Sequence, residues 1–275
     1  MKRILALATA AVLILGCALV FSSCAKPGSN EFKVGLECAY APYNWTQSTD
    51  AKGAVQISGS NDYAGGYDVE IAKKIAEGLG KKLVIVKTVW DGLTPAVQSG
   101  TIDAIIAGMS ATDERKQTLD FSDPYYNYDL VIIVKADSKF AGATSLADFA
   151  GAKITAQLDT LHYDLIDQIP DVQKQTASQD FPTMRVALDS GSIDGYVSET
   201  PEGISAQLTN PNFKMIIFED GKGFEATSDQ KSVSVGLKKG SSDLAEKINK
   251  ILAGISEEQR DQIMQNAVKN QPAAD

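Results

Sequence analysis

From residue 32 onward the chain alternates short apolar runs with segments of helical period. FKVGLE (32–37) reads as a first strand. In DVEIAKKIAEGLG (68–80), Val69, Ala72, Ile75, Ala76 and Leu79 share one face, with Asp68 as the expected cap and Gly80 as the stop. KKLVIVKTVW (81–90) is a strand, LTPAVQSG a short helix closed by Gly100, and TIDAIIAG a buried strand. The order then recurs. LVIIVKAD (130–137) and AKITAQL (152–158) read as strands, HYDLIDQI (162–169) and FPTMRVALDSG (181–191) as helices, and SIDGYVS (192–198) as a strand. KMIIFED and VSVGLKKG return to sheet, and DLAEKINKILAGI with EEQRDQIMQNAV end the chain as helices. Strands alternating with helices predict parallel sheets with right-handed crossovers, so the fold expected is α/β with two similar lobes.

One phrase is written twice, as SGTIDAIIAGMS at 99–110 and SGSIDGYVSE at 190–199. In each copy a helix stops at Ser-Gly, a strand starts at Ile-Asp, and a loop leaves the strand's carboxyl end, where open parallel sheets bind ligands. Gly108 and Glu199 occupy matching places, five residues past Asp103 and Asp194. The copies carry opposite charge, because the first runs on to Arg115 and the second stops at a bare carboxylate.

The N-terminus changes the picture of the mature chain. MKR is a positive n-region, ILALATAAVLILGCALVF an apolar one, and SSC a small-residue cleavage site, so residues 1–23 read as an export signal. The segment resembles a bacterial lipoprotein signal, with lipid on Cys24 and AKPGSN as a polar tether over 24–31. Phe21 stands where such signals usually carry Leu. Cys17, in ILGC, also fits, but ALVFS would follow it, so Cys24 is preferred. Removing residues 1–23 takes Lys2 and Arg3 and leaves 24 basic against 35 acidic residues. That acidity argues against nucleic acid or anionic lipid as a partner. Cys38 is then the one thiol in the folded part, a small filler rather than a nucleophile, and no disulfide framework exists. One histidine, His162, makes no metal cluster and is expected at the surface of a helix start. No phosphate-binding G-x-x-x-x-G-K-[ST] loop and no Ser-His-acid set can be assigned, so the chain is read as a non-enzyme without cofactor.

The loop GMSATDERK suits an anion. Gly108 allows close backbone approach, Ser110 adds a hydroxyl, Thr112 caps the next helix, and Arg115 brings a planar fork. Surface pairing of Arg115 with Asp113 or Asp120 is the ordinary alternative. Opposite it, Glu199 ends a buried strand with no cation nearby in sequence and suits an ammonium; a solvated loop residue is its alternative. Together the loops fit an α-amino acid. Tyr40 and Trp90, at strand ends, are candidates to stack on its side chain or else pack in the core. Tyr43 and Trp45 are expected to be structural.

GYDVEIAKKIAEGLG, VWDGLTPAVQSGTIDAIIAGMSATDERKQTLDFSDPYY and SGSIDGYVSETPEG resemble the polar amino-acid-binding proteins that feed ABC-type importers, family 3. The resemblance spans nearly all of 32–265. It implies a two-lobed periplasmic-binding-protein-like fold (type II) with two crossover strands, near Tyr126–Tyr128 and near Ser232. Lobe 1 would hold 32–127 and 232–275, and lobe 2 would hold 128–231. It further implies that Gly108, Ser110 and Arg115 hold the ligand's α-carboxylate, Glu199 its α-ammonium, and that Tyr40 and Trp90 sandwich its side chain. Thr160 matches a threonine that reaches the carboxylate, although Asp159 and Leu161 depart from the usual Gly-Thr-Thr. Glu37 falls where relatives carry an acid at the side-chain end. The polar insertion at 47–66 is expected as a loop on the cleft rim. Free amino acid and ABC permease subunits are the partners implied, for a monomer held at the cell envelope. A cationic ligand is favoured by Glu37 and Asp159; a neutral polar one such as glutamine, or a dehydratase on the same fold using Glu37 or Glu199 as its acid, are the alternatives.

Overall fold

The computed structural model describes residues 30–272, so the expected export signal over 1–23 and the expected lipidation site Cys24 lie outside the described residues. The first half runs β1 (Glu31–Leu36), β2 (Ala39–Tyr40), β3 (Asn44–Gln47), β4 (Val55–Gln56), β5 (Tyr63–Gly65), α1 (Tyr67–Gly78), β6 (Lys82–Lys87), α2 (Trp90–Ser99), β7 (Ala104–Ile105), α3 (Asp113–Thr118) and β8 (Leu119–Asn127). The second runs β9 (Leu130–Lys135), β10 (Lys153–Thr155), α4 (Leu161–Leu165), β11 (Gln173–Lys174), α5 (Phe181–Asp189), β12 (Gly195–Glu199), α6 (Thr200–Thr209), β13 (Phe213–Ile216), β14 (Ser232–Lys238), α7 (Ser242–Ala253) and α8 (Glu257–Asn270).

Two five-stranded sheets result, in the orders β6-β1-β7-β14-β8 and β11-β10-β12-β9-β13. The chain leaves the first sheet after Asn127 and re-enters it at Ser232, and these two residues are paired where β8 and β14 run antiparallel. The α/β fold with two crossover strands is thus the one expected. The sheets are mixed rather than parallel, however. β1 pairs in parallel with β6 and β7, whereas β14 runs against β7 and β8, and β9 against β12 and β13. β9 and β14 each begin where the chain arrives from the other sheet, without the helical crossover that a parallel neighbour requires. β8 was not visible as a strand because it holds Asp120, Asp123 and Pro124; it tolerates them as an edge strand.

Apolar burial follows the strand pleat. On β9, Val131 and Ile133 face the larger core while Ile132 and Val134 face a second core with Phe149, Ile154 and Val197. Two expectations fail. Asp68 is not a cap: Gly66 precedes α1, and Asp68 lies inside the helix, fully buried. The 47–66 insertion is not on the cleft rim. It forms β4 and β5 of a small antiparallel sheet, and Ile57 bridges Ile85 on the edge strand β6. Its tip lies with Glu31 and Lys82, at the start of β1 and β6 and so at the end away from the cleft.

Candidate functional site

The repeated phrase builds the same corner twice. The Asp103 carboxylate accepts the Lys33 amide at 2.8 Å, and the Asp194 carboxylate accepts the Lys153 amide at 2.8 Å. Ser99 and Ser190 each donate to a carbonyl of the helix they end, and Gly100 and Gly191 close those helices at φ 79° and 74°. Each aspartate therefore ties its strand to the neighbouring strand and fixes how the carboxyl-end loop departs. Lys33 and Lys153 are equivalent, so Glu37 corresponds to Gln157, 120 residues on. These two meet: Gln157 Nε2 donates to both Glu37 carboxylate oxygens, at 2.9 and 3.2 Å. The carboxyl ends of the two sheets face each other.

On the first side Gly108 adopts φ 63°, and a Cβ there would lie 2.5 Å from the Tyr40 ring. Its amide donates to Tyr125 Oη (3.2 Å), which donates to Asp68 (2.7 Å), which also accepts from Asn44 (2.9 Å). Burial outweighs those bonds and raises the Asp68 carboxyl to about 7. Ser110 Oγ lies 2.8 Å from Tyr128 Oη, which donates to the Gln230 carbonyl. Thr112 caps α3, its hydroxyl accepting the Arg115 amide. The Arg115 guanidinium donates to the Ser110 carbonyl (3.1 Å) and, across the cleft, to the Asp159 carbonyl (2.9 Å); it also lies 5.1 Å over the Trp90 ring. Those bonds commit two of its five N–H groups.

On the second side Thr160 caps α4 and donates to the Gln157 carbonyl at 2.6 Å. Asp159 takes φ 55°, a left-handed position that favours glycine. Glu199 ends β12 with no exposure; Ser198 Oγ donates to its Oε2 at 3.2 Å, and His162 Nε2 stands 3.3 Å from the same oxygen. Burial, followed by the nearby Glu202 charge, raises the Glu199 carboxyl to about 8, and burial with Arg115 nearby lowers His162 to about 4. Among the described residues Glu199 Oε1, His162 Nε2 and Tyr43 Oη are buried without a hydrogen-bond partner. Tyr43 lies within electrostatic reach of Glu199.

The aromatic rings take different partners. Tyr40 stacks on Phe181 of α5 at 4.2 Å and 5°, whereas Trp90 lies under Arg115 and donates its indole N–H to the Asp159 carbonyl. A cleft of about 930 Å³ opens beside Trp90, Arg115, Asp159 and Thr160. Glu37, Tyr40, Gly108, Ser110 and Glu199 do not line it, and all but Gly108 are buried.

The comparisons with known proteins fit this arrangement. The profile of the bacterial extracellular solute-binding proteins, family 3, matches residues 32–269. The chain belongs to this family. It is 33% identical over 203 residues to a probable histidine-binding protein of Campylobacter jejuni, covering 72% of both chains. An amino acid ABC transporter substrate-binding protein of Streptococcus pneumoniae, solved with L-arginine, superposes with a TM-score of 0.74 at 27% identity, covering 87% of this chain and 95% of that one. An ancestral arginine-binding protein solved with glutamine gives 0.71 at 30% identity, covering 86% and 96%. Family membership implies an exported protein, and no described helix is long and apolar enough to cross a membrane.

Reading the sequence of this solute-binding chain missed four residues of the site. His162 is buried rather than on the surface, Tyr43 is buried as expected but leaves its hydroxyl without a partner, Gln157 meets Glu37, and Phe181 stacks on Tyr40. The correspondence set by Asp103 and Asp194 was a signal for Gln157. Nothing local marks the other three.

Proposed function

We propose that this chain is an exported receptor that binds a free amino acid between its two sheets and delivers it to an ABC-type permease. The observation that carries the reading is the carboxylate of Glu199: fully buried at a strand end, with an oxygen that meets no donor among the described residues. A buried, unpaired acceptor is costly unless a ligand supplies the donor, and an α-ammonium supplies it with the right charge. Gly108, Ser110, Arg115 and Thr160 then hold the α-carboxylate, and Tyr40 and Trp90 contact the side chain, with Glu37 at its far end. Ligand held only by the closed cleft biases 32–127 with 232–275 and 128–231 toward closure about the two crossovers. Lipid on Cys24 keeps a monomer at the envelope beside its permease. Nothing in this cycle requires chemistry on the ligand.

A cationic amino acid is favoured. Asp91, Asp113, Glu114, Asp159 and Asp164 line the cleft, and Arg115 is its only basic residue. Such a mouth raises the local concentration of cations. Glutamine is the second reading, supported by the ancestral arginine-binding protein solved with it. A thermal-shift screen of the twenty amino acids decides. At about 100-fold its Kd a ligand adds roughly 2.7 kcal/mol, which is about 5–10 °C for a protein of this size. Arginine, lysine or histidine should give the largest shift; no shift with any amino acid refutes the reading.

A further inference from the structure

Two buried polar atoms without partners stand at the end of β12, Glu199 Oε1 and His162 Nε2, and a third, Tyr43 Oη, lies within electrostatic reach of Glu199. A substrate's α-ammonium has three N–H donors, and a carboxylate oxygen, a neutral imidazole nitrogen and a phenol oxygen are three acceptors. The His162–Glu199 approach of 3.3 Å is not aligned as a hydrogen bond, so His162 Nε2 and Glu199 Oε1 both keep an open lone pair for a donor. Burial and neighbouring charge oppose ionisation of both groups, while hydrogen bonds to Glu199 from Tyr40, Ser198 and the Glu202 amide favour its carboxylate without outweighing burial. Arg115 disfavours an imidazolium, while Glu202 on α6 disfavours a second carboxylate, Glu202 itself being held by Arg185 and Tyr196. Tyr40, Tyr43 and Tyr128 face the pair from the other side as neutral phenols, and Tyr40 and Ser198 each turn a hydroxyl toward Glu199.

Resting on the receptor reading above, we infer that His162 is a ligand-binding residue for the ammonium and that binding expels one proton from Glu199. Before binding, Glu199 is a neutral carboxylic acid and His162 a neutral imidazole protonated on Nδ1. The ammonium enters with its own three hydrogens, the Glu199 O–H proton leaves to solvent, and the resulting carboxylate pairs with the cation. His162 Nε2 accepts a second N–H and Tyr43 Oη the third. One proton is released and no covalent bond on the ligand changes.

L-arginine is the probe. Calorimetric titration at pH 6.5 in two buffers of different ionisation enthalpy should give heats that differ by the release of close to one proton, and Glu199→Gln should remove the difference. His162→Leu should weaken binding by about tenfold to a hundredfold, the effect of one lost acceptor to a charged donor, with His162→Gln restoring most of it. Equal heats in both buffers, with binding intact, overturn the proton step. His162→Leu binding as well as the parent overturns the acceptor role. Because His162 is the chain's one histidine, its imidazole ¹⁵N resonances in untagged protein report the resting state without any ligand. Neutral shifts between about pH 5 and 8 are expected, and an imidazolium at pH 7 overturns the neutral pair. A chain that binds no amino acid at all overturns the receptor reading instead, a result distinct from these.

Discussion

Gly108→Ala tests the closest approach in the site, and Gly100→Ala is its control. Both glycines adopt left-handed backbone, at φ 63° and 79°. An alanine at either position therefore carries the same conformational penalty, about 1–2 kcal/mol. Around Gly100 no atom lies within 4 Å of a built Cβ, whereas at Gly108 the Tyr40 Cε1 lies at 2.5 Å. Ordinary contact begins near 3.4 Å, so the ring must retreat by about 0.9 Å. It has little room, being stacked at 4.2 Å on Phe181, the first residue of α5. Overpacking of this kind costs about 1–3 kcal/mol. Gly108→Ala should therefore be less stable than Gly100→Ala by that amount, or roughly 2–12 °C in Tm at about 2–4 °C per kcal/mol. Because the displaced ring is the one assigned to the ligand's side chain, ligand affinity should also fall in Gly108→Ala and not in Gly100→Ala. Denaturant unfolding of both variants, with and without the amino acid found in the screen, reads both effects. Equal stability and equal affinity in the two variants would refute the contact on which the Tyr40 assignment stands.

Arg115→Ala should abolish amino-acid binding while the protein still unfolds cooperatively; affinity unchanged from the parent, measured by calorimetry, rules out a carboxylate role. Glu37→Gln should change stability in a pH-dependent way. Burial holds the Glu37 carboxyl near 7 in the fold against 4.5 for the free group, so the folded state keeps a proton that the unfolded chain has lost. Parental stability from this group is undiminished below about pH 4.5 and declines as pH rises to 7, by roughly 2–3 kcal/mol. The variant lacks that decline, so its stability relative to the parent should rise between pH 4 and 8; a difference flat across that range refutes the assignment.

Much of this was legible because it is written locally. The Ser-Gly helix stops, the Ile-Asp strand starts and the period of α1, α5, α7 and α8 are properties of short windows, and each appears in the structure within a few residues. What escaped depends on partners far away in sequence. Asp68 looks like a cap because it opens an amphipathic run; only Asn44 and Tyr125, 24 and 57 residues away, make it a buried hub. His162 looks like a polar helix-start residue, yet it is buried beside Glu199 at the end of β12 and near the Tyr128 ring. Strand direction escaped for the same reason, since a run such as LVIIVK does not record which sheet it arrives from.

The duplication also explains why the copies had to diverge. The two aspartates place Lys33 and Lys153, and hence Glu37 and Gln157, at equivalent strand positions, and these equivalents touch. Had both copies kept glutamate, two buried carboxylates would oppose each other at hydrogen-bond distance, and one would have to stay protonated for the cleft to close. A glutamine on one side replaces that repulsion with two bonds to the same carboxylate. Five residues past the aspartates the constraint is reversed. Glycine at 108 lets the Tyr40 ring sit against the backbone, and glutamate at 199 supplies the charge that the first copy lacks. Facing copies can enclose an unsymmetrical dipole only when their equivalent positions differ, so opposite charges on a repeated motif follow from its placing the two loops on opposite walls of one cleft.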